Sequence, residues 1–143
     1  GALTDDGITI LNETLIHEMK INKEYIDEEI KKEAREAARR LKVYRGNRPP
    51  LYLNNQTVIL IDDGVATGAT MSVSIKSIRN KSAKKIIVVT PVISSGARDK
   101  IKSETDELIY LEAPSLFMSV GQFYKKFNQI TDEEVVGLLS HLN

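Results

Sequence analysis

Cysteine and tryptophan are both absent from the 143-residue sequence. Without cysteine, the chain cannot form a disulfide or a site in which cysteine binds zinc or an iron–sulfur cluster. An excess of charge is also lacking, because 20 lysine and arginine residues balance 20 aspartate and glutamate residues. Proteins dedicated to nucleic-acid binding usually have a strong basic excess, so we expect no nucleic-acid partner.

Long apolar runs are missing as well. The longest, at residues 57–61 and 86–90, have the length of strands, whereas a membrane-spanning helix needs about 20 apolar residues. We therefore expect a cytoplasmic protein with no membrane partner. The hydrophobic share of 41% is typical of a soluble protein, and the length suggests a single domain over residues 1–143. His17 and His141 lack the spacing of metal ligands, so we expect both to be structural or exposed.

The first part of the chain has the pattern of a hairpin followed by two helices. Residues 4–7, which end in an Asp-Gly pair, separate two apolar stretches and predict a hairpin turn. Asn12 is a candidate cap for a short helix that ends near Lys20. A longer helix follows, with Gly46 as its C-terminal cap. Its apolar residues recur at steps of three or four: Ile26, Ile30, Ala34, Ala37 and Leu41.

The remainder alternates between strand and helix patterns. We predict strands at residues 57–61, 86–91 and 107–112, with helices at residues 69–80 and 95–103 between them. Such alternation is typical of an α/β fold with a parallel sheet and helices on both faces, in three layers. An aromatic-rich stretch follows at residues 116–127. A capping box at residues 131–134 opens a last helix with apolar residues Val135, Leu138, Leu139 and Leu142.

The most informative segment spans residues 58–71. A strand of four apolar residues ends in Asp62 and Asp63, and a loop of small residues then leads directly into a helix. Gly68 allows a ligand to approach the backbone, and the free N–H groups at the start of the helix favour an anion. Thr67 and Thr70 add hydroxyl donors. Ionised carboxylates are acceptors only, so the two acids suit the vicinal hydroxyls of a ribose.

Other phosphate-binding motifs fit this segment badly. A Walker A loop requires a lysine at the position that Ala69 occupies. A dinucleotide-binding fingerprint requires three spaced glycines, whereas this segment contains only Gly64 and Gly68. An ordinary strand–turn–helix junction with a threonine cap is the remaining structural alternative.

Residues 58–71 resemble the signature of type I phosphoribosyltransferases, in which two acids and three small residues precede Thr-Gly-x-Thr. The whole chain is similar to an uncharacterised phosphoribosyltransferase-like subfamily. The matching pieces cover most of the sequence and are residues 1–12, 44–50, 61–71, 90–92, 120–124 and 132–135.

The resemblance implies a phosphoribosyltransferase-like fold and a function. Asp62 and Asp63 would act as the catalytic acid pair by holding the 2- and 3-hydroxyls of the ribose. The 5-phosphate would be bound by the loop residues Ala66, Thr67, Gly68, Ala69 and Thr70. Mg²⁺ would be bound mainly through the substrate, as a bridge between the diphosphate and the ribose, without a metal site built from protein residues. The substrate would be phosphoribosyl diphosphate or a nucleotide.

The sequence also departs from that subfamily. There, the region that matches residues 1–12 follows a helix, a strand ending in a diphosphate-binding turn, and a second strand, which have no counterpart here. We therefore expect the domain to be incomplete at its N-terminus. The strand at residues 57–61, apolar on both faces, would then have an open edge. We expect it to be covered in a homo-oligomer, by a missing N-terminal segment, or by the hairpin of residues 1–12.

Several other residues admit two interpretations. Arg45, Asn47 and Arg48 could form a basic loop near the diphosphate or a solvated helix end. Ser94, Ser95 and Gly96 could contact the acceptor, although such residues more often cap a helix. The aromatic residues are interpreted as core, with a base-stacking wall as the alternative, and they are Phe117, Phe123, Tyr124 and Phe127.

Two functions are therefore predicted for the motif. The first is a phosphoribosyltransferase that transfers the phosphoribosyl group to an unidentified acceptor and releases diphosphate. The second is a non-catalytic regulatory module of the same fold that binds phosphoribosyl diphosphate. A phosphatase or kinase with Asp62 as nucleophile is disfavoured, because the loop contains no basic residue.

Overall fold

The structure, a computed structural model, describes residues 1–4 and 6–140. His141 and Leu142, which the sequence assigned to the end of the last helix, lie outside the described residues. The elements in chain order are β1 (Ala2–Leu3), β2 (Thr9–Ile10), α1 (Glu13–Glu18), α2 (Lys23–Arg45), β3 (Thr57–Ile61), α3 (Ala69–Asn80), β4 (Lys85–Val92), α4 (Ser95–Glu104), β5 (Glu107–Glu112), a 3-10 helix (Val120–Phe123) and α5 (Asp132–Ser140).

A parallel sheet with the strand order β3-β4-β5 forms the centre of the fold. Ile59 lies opposite Ile87 in the first pair of strands, and Val89 lies opposite Ile109 in the second. Both connections run through a helix, α3 and α4, as parallel pairing requires. The predicted α/β fold, with a parallel sheet flanked by helices, is confirmed.

The core lies between one face of this sheet and the two connecting helices. Ile86 and Val88 of β4 point towards these helices and are completely buried. Val58 and Leu60 of β3 pack at the edge of the same cluster. The buried members contributed by the helices and by the chain segments before them are Val65, Met71, Ile75, Ile78, Ile93, Ala97 and Ile101.

The opposite face of β3 is open in the described part of the chain, although Ile59 and Ile61 on that face are apolar. Ile59 is 57% exposed and Ile61 is 77% exposed. Within the described residues β3 pairs only with β4 and is therefore an edge strand. The helices of the core cluster lie on the face that carries Val58 and Leu60, and they leave these isoleucines uncovered.

The hairpin of β1 and β2 does not pair with the free edge of β3. The two strands pair with each other, as predicted, and contact α3 and α2. The prediction that this hairpin could cover the edge of β3 is therefore wrong, because its apolar residues pack against helices. Pairing of that edge with another chain or a further segment stays a prediction.

Helices α2 and α5 form a separate pair that charged groups hold together. Arg39 of α2 forms an ion pair with Asp132 at a distance of 2.6 Å, and the hydroxyl of Tyr44 donates to the same carboxylate at 2.5 Å. The predicted capping box opens α5, since Thr131 and Glu134 each accept a hydrogen bond from the other's backbone N–H. Within residues 1–4 and 6–140, every helix is too short or too polar to cross a membrane.

One carboxylate anchors the hairpin to α3. Asp6 accepts a hydrogen bond from the hydroxyl of Ser77 at 2.6 Å and forms an ion pair with Lys81 at 3.1 Å. The hydrogen bond from Ser77 is the largest cause that lowers the pKa of Asp6 to about 2, and Thr4 and Lys81 contribute to the same effect. The charged form of Asp6 therefore stabilises the folded state.

We expect Asp6→Asn to lower the free energy of unfolding by about 1 kcal/mol at pH 7, because it removes charge-assisted hydrogen bonds. Since folding lowers the pKa of Asp6, its contribution is fully present above its ordinary pKa of 3.8 and is lost as the pH falls through about 2. Urea unfolding of both proteins between pH 7 and pH 3 measures this difference.

The matched control is Asp27→Asn, at an exposed position of α2 whose side chain makes no hydrogen bond or ion pair among the described residues. Its stability at pH 7 should stay within about 0.5 kcal/mol of the unaltered protein. The free energies of unfolding of the unaltered protein and Asp6→Asn should converge as the pH falls. If they do not converge, the charge of Asp6 does not anchor the hairpin.

Candidate functional site

The predicted site residues lie at the carboxyl ends of β3 and β4. The backbone N–H of Asp62 donates to the carbonyl of Val89 at 3.2 Å, which extends the pairing one residue beyond β3. The chain continues beside β4, where the N–H of Val65 donates to the carbonyl of Val92 at 2.9 Å and Val65 forms a parallel bridge with Ile93. This pairing brings the end of β3, the loop before α3 and the start of α4 to the same edge of the sheet.

The two acids differ in their surroundings. Asp62 is half-buried, whereas Asp63 is exposed. Burial is the main cause that raises the pKa of Asp62, and the neighbouring carboxylate of Asp63 acts in the same direction. The backbone N–H of Asp63 donates to Oδ1 of Asp62 at 2.9 Å and partly offsets these effects. The pair thus presents two acceptors on adjacent residues, of which Asp63 is the more exposed.

Gly68 determines the shape of the loop at residues 66–70. Its φ angle is +73°, in the left-handed region that favours glycine. The residue itself is buried, and a Cβ placed on it would lie 3.4 Å from both Ala97 Cβ and Ile101 Cδ1 of α4. Ala66, Thr67 and Thr70 are exposed on the outer side of the loop. The loop therefore contacts the core at its glycine and solvent at its threonines.

The N-terminus of α3 offers several unused donors. Gly68 caps the helix without a side-chain acceptor. Only the N–H of Ala69 has a nearby acceptor, Oγ1 of Thr67 at 3.4 Å. Among the described residues, the N–H groups of Thr67, Gly68, Thr70 and Met71 have no acceptor. Free N–H groups at a helix N-terminus form a binding site for a phosphate or another anion.

Ser94 ties this loop to the next strand, which the sequence alone did not reveal. Its hydroxyl donates to the carbonyl of Ala66 at 2.5 Å and accepts from the N–H of Ala97 at 3.1 Å. Its own N–H donates to the carbonyl of Val65 at 2.9 Å. The expected helix cap is confirmed, and the same side chain also holds the loop. The position of Ser94 directly after β4 was the one sequence feature that could have indicated this contact with the loop.

The segment at residues 116–127, which we call the tail, also reaches the site. The hydroxyl of Tyr124 donates to the carbonyl of Asp63 at 2.6 Å, and Val120 packs so closely on Gly64 that a Cβ there would overlap it. The sequence analysis missed this contact, because no local pattern relates residues 61 positions apart. Its interpretation of the tail aromatics as core is wrong, since Phe127 is 48% exposed and the other three are only partly buried.

The candidate basic loop at residues 45–48 does not contact the acids or the loop at residues 66–70 through hydrogen bonds or ion pairs among the described residues. The side chain of Arg45 donates to the carbonyl of Pro49 at 2.6 Å. Within the described residues neither it nor Asn47 or Arg48 makes a hydrogen bond or ion pair with residues 62–70. A cavity of about 580 Å³ lies between the hairpin, α1 and α2, and Thr70 is the one loop residue that lines it.

Comparison with known proteins places this arrangement among phosphoribosyl transferases. The phosphoribosyl transferase domain family matches residues 5–124. Two relatives from Mycobacterium tuberculosis, strains CDC 1551 / Oshkosh and ATCC 25618 / H37Rv, are provisionally named phosphoribosyl transferases. Each is 31% identical over 139 residues, which are 97% of this chain and 31% of the relative. The chain thus spans about a third of the length of these curated relatives.

A solved structure is similar as well. The crystal structure of TT1426 from Thermus thermophilus superposes with a TM-score of 0.76 at 28% sequence identity. The match covers 99% of this chain and 66% of that one. The arrangement of β3, its loop and the following strands is therefore not peculiar to this sequence.

The positive φ angle of Gly68 leads to a prediction. Gly68→Ala should lower the free energy of unfolding by about 1–2 kcal/mol, because alanine is strained at a positive φ. Gly96→Ala in α4, where a Cβ would meet nothing within 4 Å, should be neutral or stabilising by up to about 1 kcal/mol. Urea unfolding compares the two variants. Equal stabilities would contradict the left-handed conformation at Gly68.

Proposed function

Because this chain belongs to the phosphoribosyl transferase family, we propose that it binds a ribose 5-phosphate unit in the site at the end of β3. The substrate is phosphoribosyl diphosphate or a nucleotide 5-phosphate. In the intact protein the phosphoribosyl group passes to an acceptor, and diphosphate is released. The acceptor is unidentified.

One observation carries this proposal. Two carboxylates, at Asp62 and Asp63, directly precede a loop whose backbone N–H groups at the start of α3 have no acceptor within the described residues. A ribose 5-phosphate needs both features, since its vicinal hydroxyls are donors and its phosphate is an acceptor. A site for phosphate alone would have no use for two acids beside it, because their charge repels anions.

Each part of the site has a role in the proposed reaction. Asp62 and Asp63 accept hydrogen bonds from the 2- and 3-hydroxyls of the ribose. The backbone of residues 66–70 and the hydroxyls of Thr67 and Thr70 hold the 5-phosphate. Replacement of diphosphate at C1 proceeds through a cationic, oxocarbenium-like transition state. Fixed carboxylates close to that charge stabilise the transition state more than the ground state.

The acids also fit Mg²⁺, which such a substrate would bring with it. Magnesium prefers oxygen ligands and usually keeps several waters and substrate phosphates in its shell. The donor set at this edge consists of hard carboxylate oxygens. Groups of three or more metal-binding side chains are absent from residues 1–4 and 6–140. When bound, Mg²⁺ neutralises charge on the departing diphosphate.

A second function is supported by one observation. Residues 62–70 contain no lysine or arginine, and among the described residues no lysine or arginine side chain makes a hydrogen bond or ion pair with them. That arrangement favours a non-catalytic module that binds phosphoribosyl diphosphate and regulates another activity.

Release of diphosphate separates the two functions. The protein is incubated with phosphoribosyl diphosphate, Mg²⁺ and a panel of purine, pyrimidine and amine acceptors, and diphosphate is measured. Release that depends on one acceptor supports the transferase. Binding of phosphoribosyl diphosphate without release for any acceptor supports the regulatory module. Absence of binding would contradict both functions.

The acid pair can be tested directly by calorimetry. Replacing both Asp62 and Asp63 by Asn keeps their shape but removes the charge-assisted acceptors, so affinity for ribose 5-phosphate should fall at least about tenfold. Affinity for inorganic phosphate should not decrease, because the loop N–H groups are unchanged. The matched control is Asp99→Asn, an exposed acid of α4 paired with Arg98. Equal losses for both ligands would mean that the acids only support the loop.

A further inference from the structure

A gap in the backbone pairing of the sheet begins directly after Asp62. The N–H of Asp62 still pairs with Val89, and pairing resumes at Val65. Asp63 and Gly64 lie between these points, outside the ladder. In the described part of the chain, the only hydrogen bond to the carbonyl of Asp63 comes from the hydroxyl of Tyr124, at 2.6 Å. The direction of the Asp63 side chain therefore depends on a peptide that the sheet does not hold.

A second contact from the tail reinforces the first. A Cβ on Gly64 would lie 2.8 Å from Cγ2 of Val120 and still closer to its Cγ1. The backbone at Gly64 is thus in direct contact with the 3-10 helix at Val120–Phe123. The polar contact of Tyr124 and the apolar contact of Val120 thus both hold the peptide between Asp63 and Gly64 against the tail.

The tail itself is folded so that its hydroxyl is already in place. The N–H of Tyr124 donates to the carbonyl of Gly121 at 3.2 Å. The rings of Tyr124 and Phe127 lie 5.2 Å apart between centroids, with a tilt of 39°. Gly121 closes this turn, since a Cβ there would lie 3.2 Å from Cδ1 of Phe127. The Tyr124 ring is packed on one side, and its rotational freedom is limited.

We infer that Tyr124 is a positioning residue for the acid pair. By holding the carbonyl of Asp63, it orients the Asp63 carboxylate towards a ribose hydroxyl, beside the Asp62 carboxylate that the sheet positions. It need not touch the ligand itself. The inference rests on the proposed function, because it assumes that these carboxylates bind a ribose. It adds the tail, some 60 residues further along the chain, to the determinants of sugar recognition.

The test is Tyr124→Phe, which removes one oxygen and keeps the ring packed on Phe127. Affinity for ribose 5-phosphate should fall about three- to tenfold, the range expected for one hydrogen bond. Affinity for inorganic phosphate should change less than about twofold, because the loop at residues 66–70 does not contact the hydroxyl. Calorimetry with each ligand measures the split. Without ligand, hydrogen exchange at the amides of Asp63 and Gly64 should be faster in Tyr124→Phe than in the unaltered protein.

The matched control is Tyr52→Phe. Tyr52 is 75% exposed, and its hydroxyl only accepts a hydrogen bond from Asn54 at 3.1 Å. It lies before β3, at the opposite end of that strand from the acids. Both ligands should bind this variant as they bind the unaltered protein.

The outcomes separate the inference from the function on which it rests. If the unaltered protein binds phosphate but not ribose 5-phosphate, the proposed function fails, and the inference fails with it. If the unaltered protein binds both ligands and Tyr124→Phe matches it for both, only the inference is overturned. An equal loss for both ligands also overturns it, because that result shows a general structural role for Tyr124.

Discussion

The parallel pairing of β3 with β4 is the constraint on which the site depends. Parallel strands end at the same edge of a sheet, and a crossover connection, usually a helix, must return the chain between them. Asp62 at the end of β3 and Ser94 just beyond β4 are therefore neighbours, although 32 positions separate them in the sequence. The pairing is held by burial of Ile86 and Val88 beneath α3 and α4, and burial of such side chains contributes about 1.5–3 kcal/mol each.

The loop and the core are linked through Gly68. Gly68 is buried, and a Cβ added to it would lie at van der Waals distance from Ala97 and Ile101 of α4, so the loop approaches the core closely at this residue. Ser94 adds a polar link between the same two elements, from the Ala66 carbonyl to the start of α4. The loop geometry is therefore held by packing without a ligand.

The acids are held differently from the loop. Asp62 remains within the sheet, where burial disfavours its charged form and raises its pKa. Asp63 lies outside the ladder and depends on a tail residue for the position of its carbonyl. Burial of a carboxylate costs stability, and sites that bind or react commonly retain such groups. The two halves of the candidate site thus depend on different parts of the fold: the loop at residues 66–70 depends on α4, and the acid pair depends on β4 and the tail.

Local patterns in the sequence determined much of this protein. The helix at Ala69–Asn80 and the strands at Thr57–Ile61 and Glu107–Glu112 were predicted with the bounds that the structure has, because apolar periodicity and capping are local properties. The order of acids, glycine and threonines also identified the candidate site. Tertiary structure alone decided which groups meet there and which faces are covered. Tyr124 reaches Asp63 across 61 positions, and Ile59 and Ile61 stay exposed because the helices of the core lie on the other face. Such contacts depend on how elements pack, and the residues that make them need no common local pattern.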